Sequence, residues 1–131
     1  MSAYPIVQPA QPRETVQIHL PDGRIYEAPV GTPLEAFFKA IDFDLPGPIV
    51  AAHINCEIRE LTYSIVTDSD VVPITAADSD GMRIYRRSLS FLMVTVAEQF
   101  FPKARILIDY ALNFGGLYCE VQGRPSFTPD E

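Results

Sequence analysis

Apolar and polar residues alternate with a period of two along residues 15–20, directly after a proline-rich arm at residues 1–13. This alternation predicts a half-buried β-strand. Asp22 and Gly23 form a dipeptide typical of a tight hairpin turn, and a second strand is predicted at residues 24–30. The chain is therefore expected to begin with an extended, mobile arm followed by a β-hairpin.

A helix is predicted next, at residues 32–41. Thr32 can cap this helix, Pro33 suits its first position, and Glu35 completes a capping box. Helical spacing gives it one apolar face. The residues of that face are Leu34, Phe37, Phe38 and Ile41.

Shorter apolar segments predict the remaining strands of this region, at residues 49–55, 57–61 and 71–74, with a turn at Asn55 and Cys56. Hairpin, helix and further strands in this order are typical of an α+β fold of the β-grasp, ubiquitin-like type. We place this domain at residues 14–77.

A second, partial α/β unit is predicted at residues 79–131, where a long helix precedes a hairpin. Ser79 or Asp80 can cap the helix, and Pro102 forces its end. A glycine-rich turn at residues 113–116 joins two strands. Six helix positions have core spacing, namely Tyr85, Leu89, Leu92, Met93, Val96 and Phe100. One helix and one hairpin make a thin core, so the unit is interpreted as truncated.

Composition agrees with a folded protein of this kind, and charge differs between the two halves of the chain. The chain has 131 residues, is 47% hydrophobic and has no apolar stretch long enough to cross a bilayer, so a cytoplasmic protein without a membrane partner is expected. Residues 1–78 have four basic and eleven acidic side chains (4 − 11 = −7), whereas residues 79–131 are balanced. Acidity disfavours binding of polyanions, so any nucleic-acid contact would use the second half.

Residue types that support catalysis are scarce. The histidines are His19 and His53; His53 with Cys56 fits no strong zinc pattern, and none of the seven glycines is followed by lysine, so there is no phosphate-binding loop. We expect no catalytic residue, no metal and no cofactor in this chain.

Basic side chains on the second helix are the candidate site. Arg83, Arg86 and Arg87 are spaced i, i+3 and i+4 and therefore share one helix face, and Lys103 and Arg105 follow the helix. Together they could contact phosphate, RNA or an acidic partner. A solvated helix face is the alternative interpretation, because no exposed aromatic residues are evident among the charges.

The segments LPDGRIYEAPVGTPLEAF and AAHINCEIRELTYSIVTDSDVV resemble the TGS domain, and the likeness continues through DGMRIYRRSLSFL into GLYCEV, which looks like the start of the editing domain of threonyl-tRNA synthetase. The resemblance implies an editing His-x-x-x-His pair at positions that Arg87 and Phe91 occupy here. Neither side chain can act as a general base near neutral pH, so editing catalysis is not expected to carry over.

Two positions depart from the TGS pattern. Cys56 stands where the family usually has glycine, in a turn that favours φ > 0. Pro73 lies in the last predicted strand, where it cannot donate a ladder hydrogen bond, so either this strand is short or Pro73 faces a side without a partner.

The segment DGMRIYRRSLSFL, together with GLYCEV, also resembles the N-terminal region of bacterial nucleoside kinases of the uridine kinase and phosphoribulokinase type. This resemblance implies a regulatory region of a kinase that uses ATP and Mg²⁺ in its own downstream kinase domain. The alternatives are a threonyl-tRNA synthetase-related, tRNA-binding or editing-like fragment, and a free-standing β-grasp interaction module. A small ligand or nucleotide, RNA and a second copy of the chain all stay open as partners.

Overall fold

The computed structural model of the chain describes residues 4–113 and 115–131. These fold into two compact units, Met1–Gly81 and Met82–Glu131, and each is considered by itself.

A five-stranded mixed sheet forms the first unit. Its strands are β1 Thr15–His19, β2 Ile25–Pro29, β4 Ile49–Ile54, β5 Glu57–Arg59 and β7 Ser69–Thr75, in the spatial order β2-β1-β7-β4-β5. β1 and β2 are the predicted hairpin, antiparallel from Thr15 opposite Pro29 to His19 opposite Ile25. β7 lies at the centre, parallel to β1 and antiparallel to β4. The predicted α+β fold of β-grasp type is confirmed.

Helix α1, Leu34–Ala40, completes this core from one face of the sheet. Leu34 and Phe37 are buried, Ile41 is buried directly after the helix, and Phe38 packs at the edge with its ring perpendicular to that of Phe43. The apolar face predicted for this helix is therefore confirmed.

The predicted capping box at α1 is wrong. Thr32 and Pro33 form a short strand, β3 (Thr32–Pro33), which pairs with β6 (Ser64–Ile65), and no side chain caps the helix. The amides of Leu34 and Glu35 donate to the carbonyls of Tyr63 and Leu61, at 2.9 and 2.8 Å. Backbone carbonyls thus satisfy the donors that a capping side chain would otherwise satisfy.

The turn after β4 has positive φ at both central residues, although neither of them is glycine. Asn55 and Cys56 have φ values of 49° and 69°. Positive φ at both central residues is what a tight hairpin turn of this length requires, and Cys56 supplies it without the freedom of glycine.

Pro73 is accommodated because its nitrogen faces away from β4. Opposed residues of an antiparallel pair alternate between hydrogen-bonded and non-hydrogen-bonded positions. The Asn55 amide donates to the Asp70 carbonyl, so that position is hydrogen-bonded and the next one along β4 and β7 is not. Two residues further on, Ala52 opposite Pro73 is again a non-hydrogen-bonded position. On its other side β7 pairs with β1 only at Ser69 and Asp70. The strand is not short, and Pro73 has no ladder partner to lose.

A close-packed joint fixes the start of α2, the helix Ser79–Phe100. Asp78 accepts hydrogen bonds from both the amide and the hydroxyl of Thr75, at 2.7 and 3.2 Å. Gly81 is buried, and a Cβ built on it would lie 1.8 Å from the Thr75 carbonyl oxygen. Ser79 and Asp80, expected as caps, lie inside the first turn instead.

The second unit contains the rest of α2 and an antiparallel hairpin of β8 (Arg105–Ala111) and β9 (Leu117–Gln122). The turn predicted between these strands includes Phe114, which lies outside the described residues. Near the end of the unit Arg124 lies over the rings of Phe101 and Phe127, at 4.7 and 4.4 Å from their centroids, and pairs with Glu131.

The prediction that six positions of α2 belong to the core is wrong. All six are exposed, and the only buried residue of the helix is Gly81. Helical spacing correctly identified an apolar stripe, but the hairpin covers it only in part. The six residues are Tyr85, Leu89, Leu92, Met93, Val96 and Phe100.

Candidate functional site

The five candidate basic residues form two groups. Arg83, Arg86 and Arg87 lie within two turns at the start of α2, and all three are exposed. Lys103 and Arg105 follow the far end of the helix. The thirteen helical steps from Arg87 to Phe100 alone separate the two groups by about 20 Å along the helix axis. The chain thus presents no single patch of five cations.

Arg83 and Arg87 are one helical turn apart, and Phe91 follows Arg87 by another turn. The Phe91 side chain is 75% exposed. An exposed ring beside guanidinium groups suits a nucleic acid, because bases stack on aromatic faces while arginines contact phosphates. We call Arg83, Arg87 and Phe91 the arginine face.

Sequence reasoning missed Phe91 as a binding residue. It considered Phe91 only as a lost editing histidine, and discounted RNA because exposed aromatics were not evident among the arginines. Hydrophobicity favours burial of a helix phenylalanine, so only the structure reveals that this ring faces solvent.

Arg86 points away from this face, toward the hairpin. Its Nη2 would lie 2.9 Å from a Cβ on Gly115, a glycine with φ of 84° in the turn before β9. Arg86 lines a groove of about 460 Å³ together with the apolar side chains of Leu89, Met93 and Leu117.

Lys103 and Arg105 have different surroundings. Arg105 lines a second groove together with Glu98. Lys103 is exposed beside Gly123, and a Cβ on that glycine would lie 2.4 Å from the Lys103 carbonyl oxygen.

The two histidines and the cysteines do not assemble a metal site. His53 lies on β4 with its Nε2 3.7 Å from Asp80 Oδ2, while Cys56 is exposed in the following turn. Across residues 4–113 and 115–131, no three His, Cys, Asp or Glu side chains are grouped to hold a metal ion. Within the same residues, no helix is both long and apolar enough to span a bilayer.

Comparison with known proteins points to one class of enzyme. The chain is 30% identical over 117 residues to the threonine–tRNA ligase of Prochlorococcus marinus subsp. pastoris and 31% identical over 116 residues to that of Nitrosomonas europaea. The threonine–tRNA ligase of Desulforamulus reducens is 29% identical over 114 residues. These matches cover 87–88% of the chain, but the chain spans only about 18% of the length of each relative. No family model matches the chain.

This similarity overturns the nucleoside kinase interpretation. The relatives are threonine–tRNA ligases, and none of these comparisons supports a uridine kinase or a downstream kinase domain. The similarity favours the alternative that the sequence left open, a threonyl-tRNA synthetase-related fragment. The two short segments DGMRIYRRSLSFL and GLYCEV were too little sequence to support the kinase prediction.

Proposed function

We propose that this chain binds tRNA through the arginine face of α2 and does not hydrolyse aminoacyl-tRNA. The observation that carries the proposal is the similarity to threonine–tRNA ligases, which extends over 87–88% of the chain and therefore involves both compact units. Proteins of that name join threonine to tRNA, so tRNA is the first ligand to test.

Charge supports this location. Because residues 1–78 have a net charge of −7, the β-grasp unit repels a polyanion, and productive contact is confined to the basic start of α2. Arg83 and Arg87 supply charge for phosphates, and Phe91 supplies a ring on which an unpaired base can stack. This combination favours single-stranded parts of a tRNA over its duplex stems.

Hydrolysis is not part of the proposal, because the arginine face has no proton acceptor. Arginine stays protonated and phenylalanine does not titrate. His19 and His53 both precede α2, so residues 82–131 contain no histidine to replace a general base. The resemblance to an editing domain therefore supports binding without turnover.

Fluorescence anisotropy with labelled tRNA tests the binding. We expect the double variant Arg83→Ala/Arg87→Ala to weaken binding at least about tenfold. The slope of log affinity against log salt should also fall, by about one for each phosphate that is no longer neutralised. Phe91→Ala should weaken binding by about 1–3 kcal/mol with the salt dependence unchanged, because stacking releases no counterions.

Lys39→Ala is the matched control, since Lys39 is an exposed cation on α1, in the other compact unit. Equal weakening by Lys39→Ala would reduce the effect to net charge and contradict a specific face. Unchanged affinity in the double arginine variant would remove α2 as the tRNA-binding element. Deacylation of a mischarged tRNA by the chain would contradict the absence of turnover.

A further inference from the structure

A groove of about 460 Å³ lies between α2 and β9 within the second unit. Its wall is mostly apolar and is supplied by Leu89 and Met93 of α2 and by Leu117 and Cys119 of β9. Among the described residues that line the groove, Arg86 is the only charged one. A concave apolar wall with a single polar anchor is typical of a small-molecule site.

We propose that this groove binds a small monocarboxylate with an apolar chain, and that its carboxylate pairs with the Arg86 guanidinium. The chain would cover Leu89 and Met93, which are 45% and 39% exposed in the wall of the groove. A carboxylate matches the parallel N–H donors of a guanidinium in geometry as well as in charge. The two parts of the ligand therefore correspond to the two kinds of surface that the groove presents.

The charge of Arg86 is available to an external anion. Arg59 and Arg124 each pair with a carboxylate of the chain. Arg86 differs from them, because no described residue forms an ion pair or a hydrogen bond with its guanidinium. On β9 the acidic Glu120 lies on the exposed side of the strand, opposite to the side on which Cys119 lines the groove. A carboxylate that complements Arg86 must therefore come from a ligand.

The groove has room for a chain of about eight carbons. The Arg86 guanidinium lies beside Gly115, where its Nη2 would be 2.9 Å from an added Cβ. Met93 lies seven residues further along α2 than Arg86, which corresponds to about 10 Å along the helix axis. An extended chain of about eight carbons has nearly this length, since each of its C–C bonds is roughly 1.5 Å long. Octanoate is therefore a suitable probe for the site.

A single guanidinium favours a monoanion over a phosphorylated ligand. Phosphate sites normally combine several donors, and the net charge of −7 repels ligands of higher negative charge. Arg86 is not part of the arginine face, so tRNA binding and carboxylate binding can fail independently of each other. Because octanoate has only about ten non-hydrogen atoms, we expect a dissociation constant on the order of 1 mM.

An amide NMR titration of the full chain with octanoate, from about 0.05 to 20 mM, tests the proposal. We expect saturable shifts at Leu117 and Cys119. Arg86→Met retains an apolar stem but removes the charge, so it should weaken octanoate binding at least about tenfold. The same variant should change the affinity for octanol, which has the same chain without the charge, less than about twofold. Arg87→Met is the matched control, because Arg87 is the next residue of α2 and does not line the groove among the described residues, and it should change both affinities less than about twofold.

The length of the ligand gives a second measurement that leaves the protein unchanged. From butanoate to octanoate the affinity should rise about twofold to fourfold for each added methylene, and it should level off beyond about eight carbons because further carbons reach solvent. Absence of saturable shifts at the groove up to about 20 mM would overturn the proposal. Equal weakening of octanoate binding by Arg86→Met and Arg87→Met would overturn it too, since net charge alone would then explain the effect. Equal weakening of octanoate and octanol by Arg86→Met would contradict the pairing with a carboxylate.

Discussion

The two compact units of this chain bury their apolar residues to very different extents. Within the described residues, every buried apolar side chain lies between Val16 and Ile74, in the first unit. The second unit has half-buried residues such as Val94, Leu117 and Val121, and an exposed apolar stripe on α2. The first unit therefore has a buried core of its own, whereas the second leaves much of its apolar surface exposed.

The second unit compensates for its thin core with contacts between charged and aromatic groups. Arg124 lies over Phe101 and Phe127, and its guanidinium donates to both carboxylate oxygens of Glu131, at 2.8 and 2.9 Å. Such contacts stabilise locally but do not replace burial of several large apolar side chains.

Truncating one leucine in each unit is the strongest test of this difference. Leu34 is fully buried in the first unit, so Leu34→Ala should lower the free energy of unfolding by about 2–5 kcal/mol. Leu117 is half-buried in β9, and Leu117→Ala should cost about 1 kcal/mol or less. Urea unfolding of dilute protein measures both. Equal losses would mean that the core of the second unit contributes as much to stability as the core of the first.

The next largest loss of stability is expected from a substitution at the joint between β7 and α2. Gly81→Ala places a methyl group against the Thr75 carbonyl, at 1.8 Å before relaxation, and should cost about 1–3 kcal/mol because the backbone must move. In Gly47→Ala the nearest atom outside the adjacent residues is the Ala77 nitrogen at 3.8 Å, an ordinary contact. Thermal unfolding should separate the two variants clearly, and a neutral Gly81→Ala would show that the joint yields easily.

Much of the first unit could be predicted from sequence because each of its patterns was local. Period-two alternation and the Asp22-Gly23 turn specified the β1–β2 hairpin, and helical spacing specified the buried face of α1. The strands β3 and β6 were missed because each is two residues long and exists only through pairing with the other, which no local pattern reports.

The candidate site was less predictable for a different reason. Spacing correctly placed Arg83 and Arg87 one turn apart on α2, but exposure depends on what covers a helix, and that is set by tertiary contacts. Phe91 was therefore considered only as the replacement of an editing histidine, and Leu89 was predicted to be buried. Helical periodicity identifies an apolar stripe without identifying the partner that covers it.

The two cysteines, one in each unit, allow the same substitution to glycine to be compared at two different backbone conformations. Cys56→Gly should raise the free energy of unfolding by about 0.5–1 kcal/mol, because glycine relieves a φ of 69° that an L-residue adopts at a cost. Cys119→Gly should instead lower it by a similar amount, because Cys119 lies in β9, where glycine weakens a strand. Denaturant unfolding measures both, and a destabilising Cys56→Gly would mean that the Cys56 side chain stabilises the turn.

The smallest effect concerns one carboxylate in each unit. The Gln17 amide, with help from the Arg13 guanidinium, lowers the pKa of Asp68 below its usual range, and the Thr128 amide, with Arg124, does the same for the pKa of Glu131. Folded-state pKa values below the unfolded ones mean that each contribution to stability is complete above about pH 5 and is lost as pH falls through the lowered pKa.

Carbon-detected NMR titration of the two carboxyl groups measures these pKa values directly. Arg13→Ala should raise the pKa of Asp68 only in part, because the larger cause is the Gln17 amide at 2.9 Å, which the variant retains. Arg124→Ala should raise the pKa of Glu131 and also loosen the second unit, because Arg124 packs against two rings there. If Arg124→Ala changed only the titration and left the unfolding of the second unit unaltered, the charged and aromatic contacts would not be what compensates for its thin core.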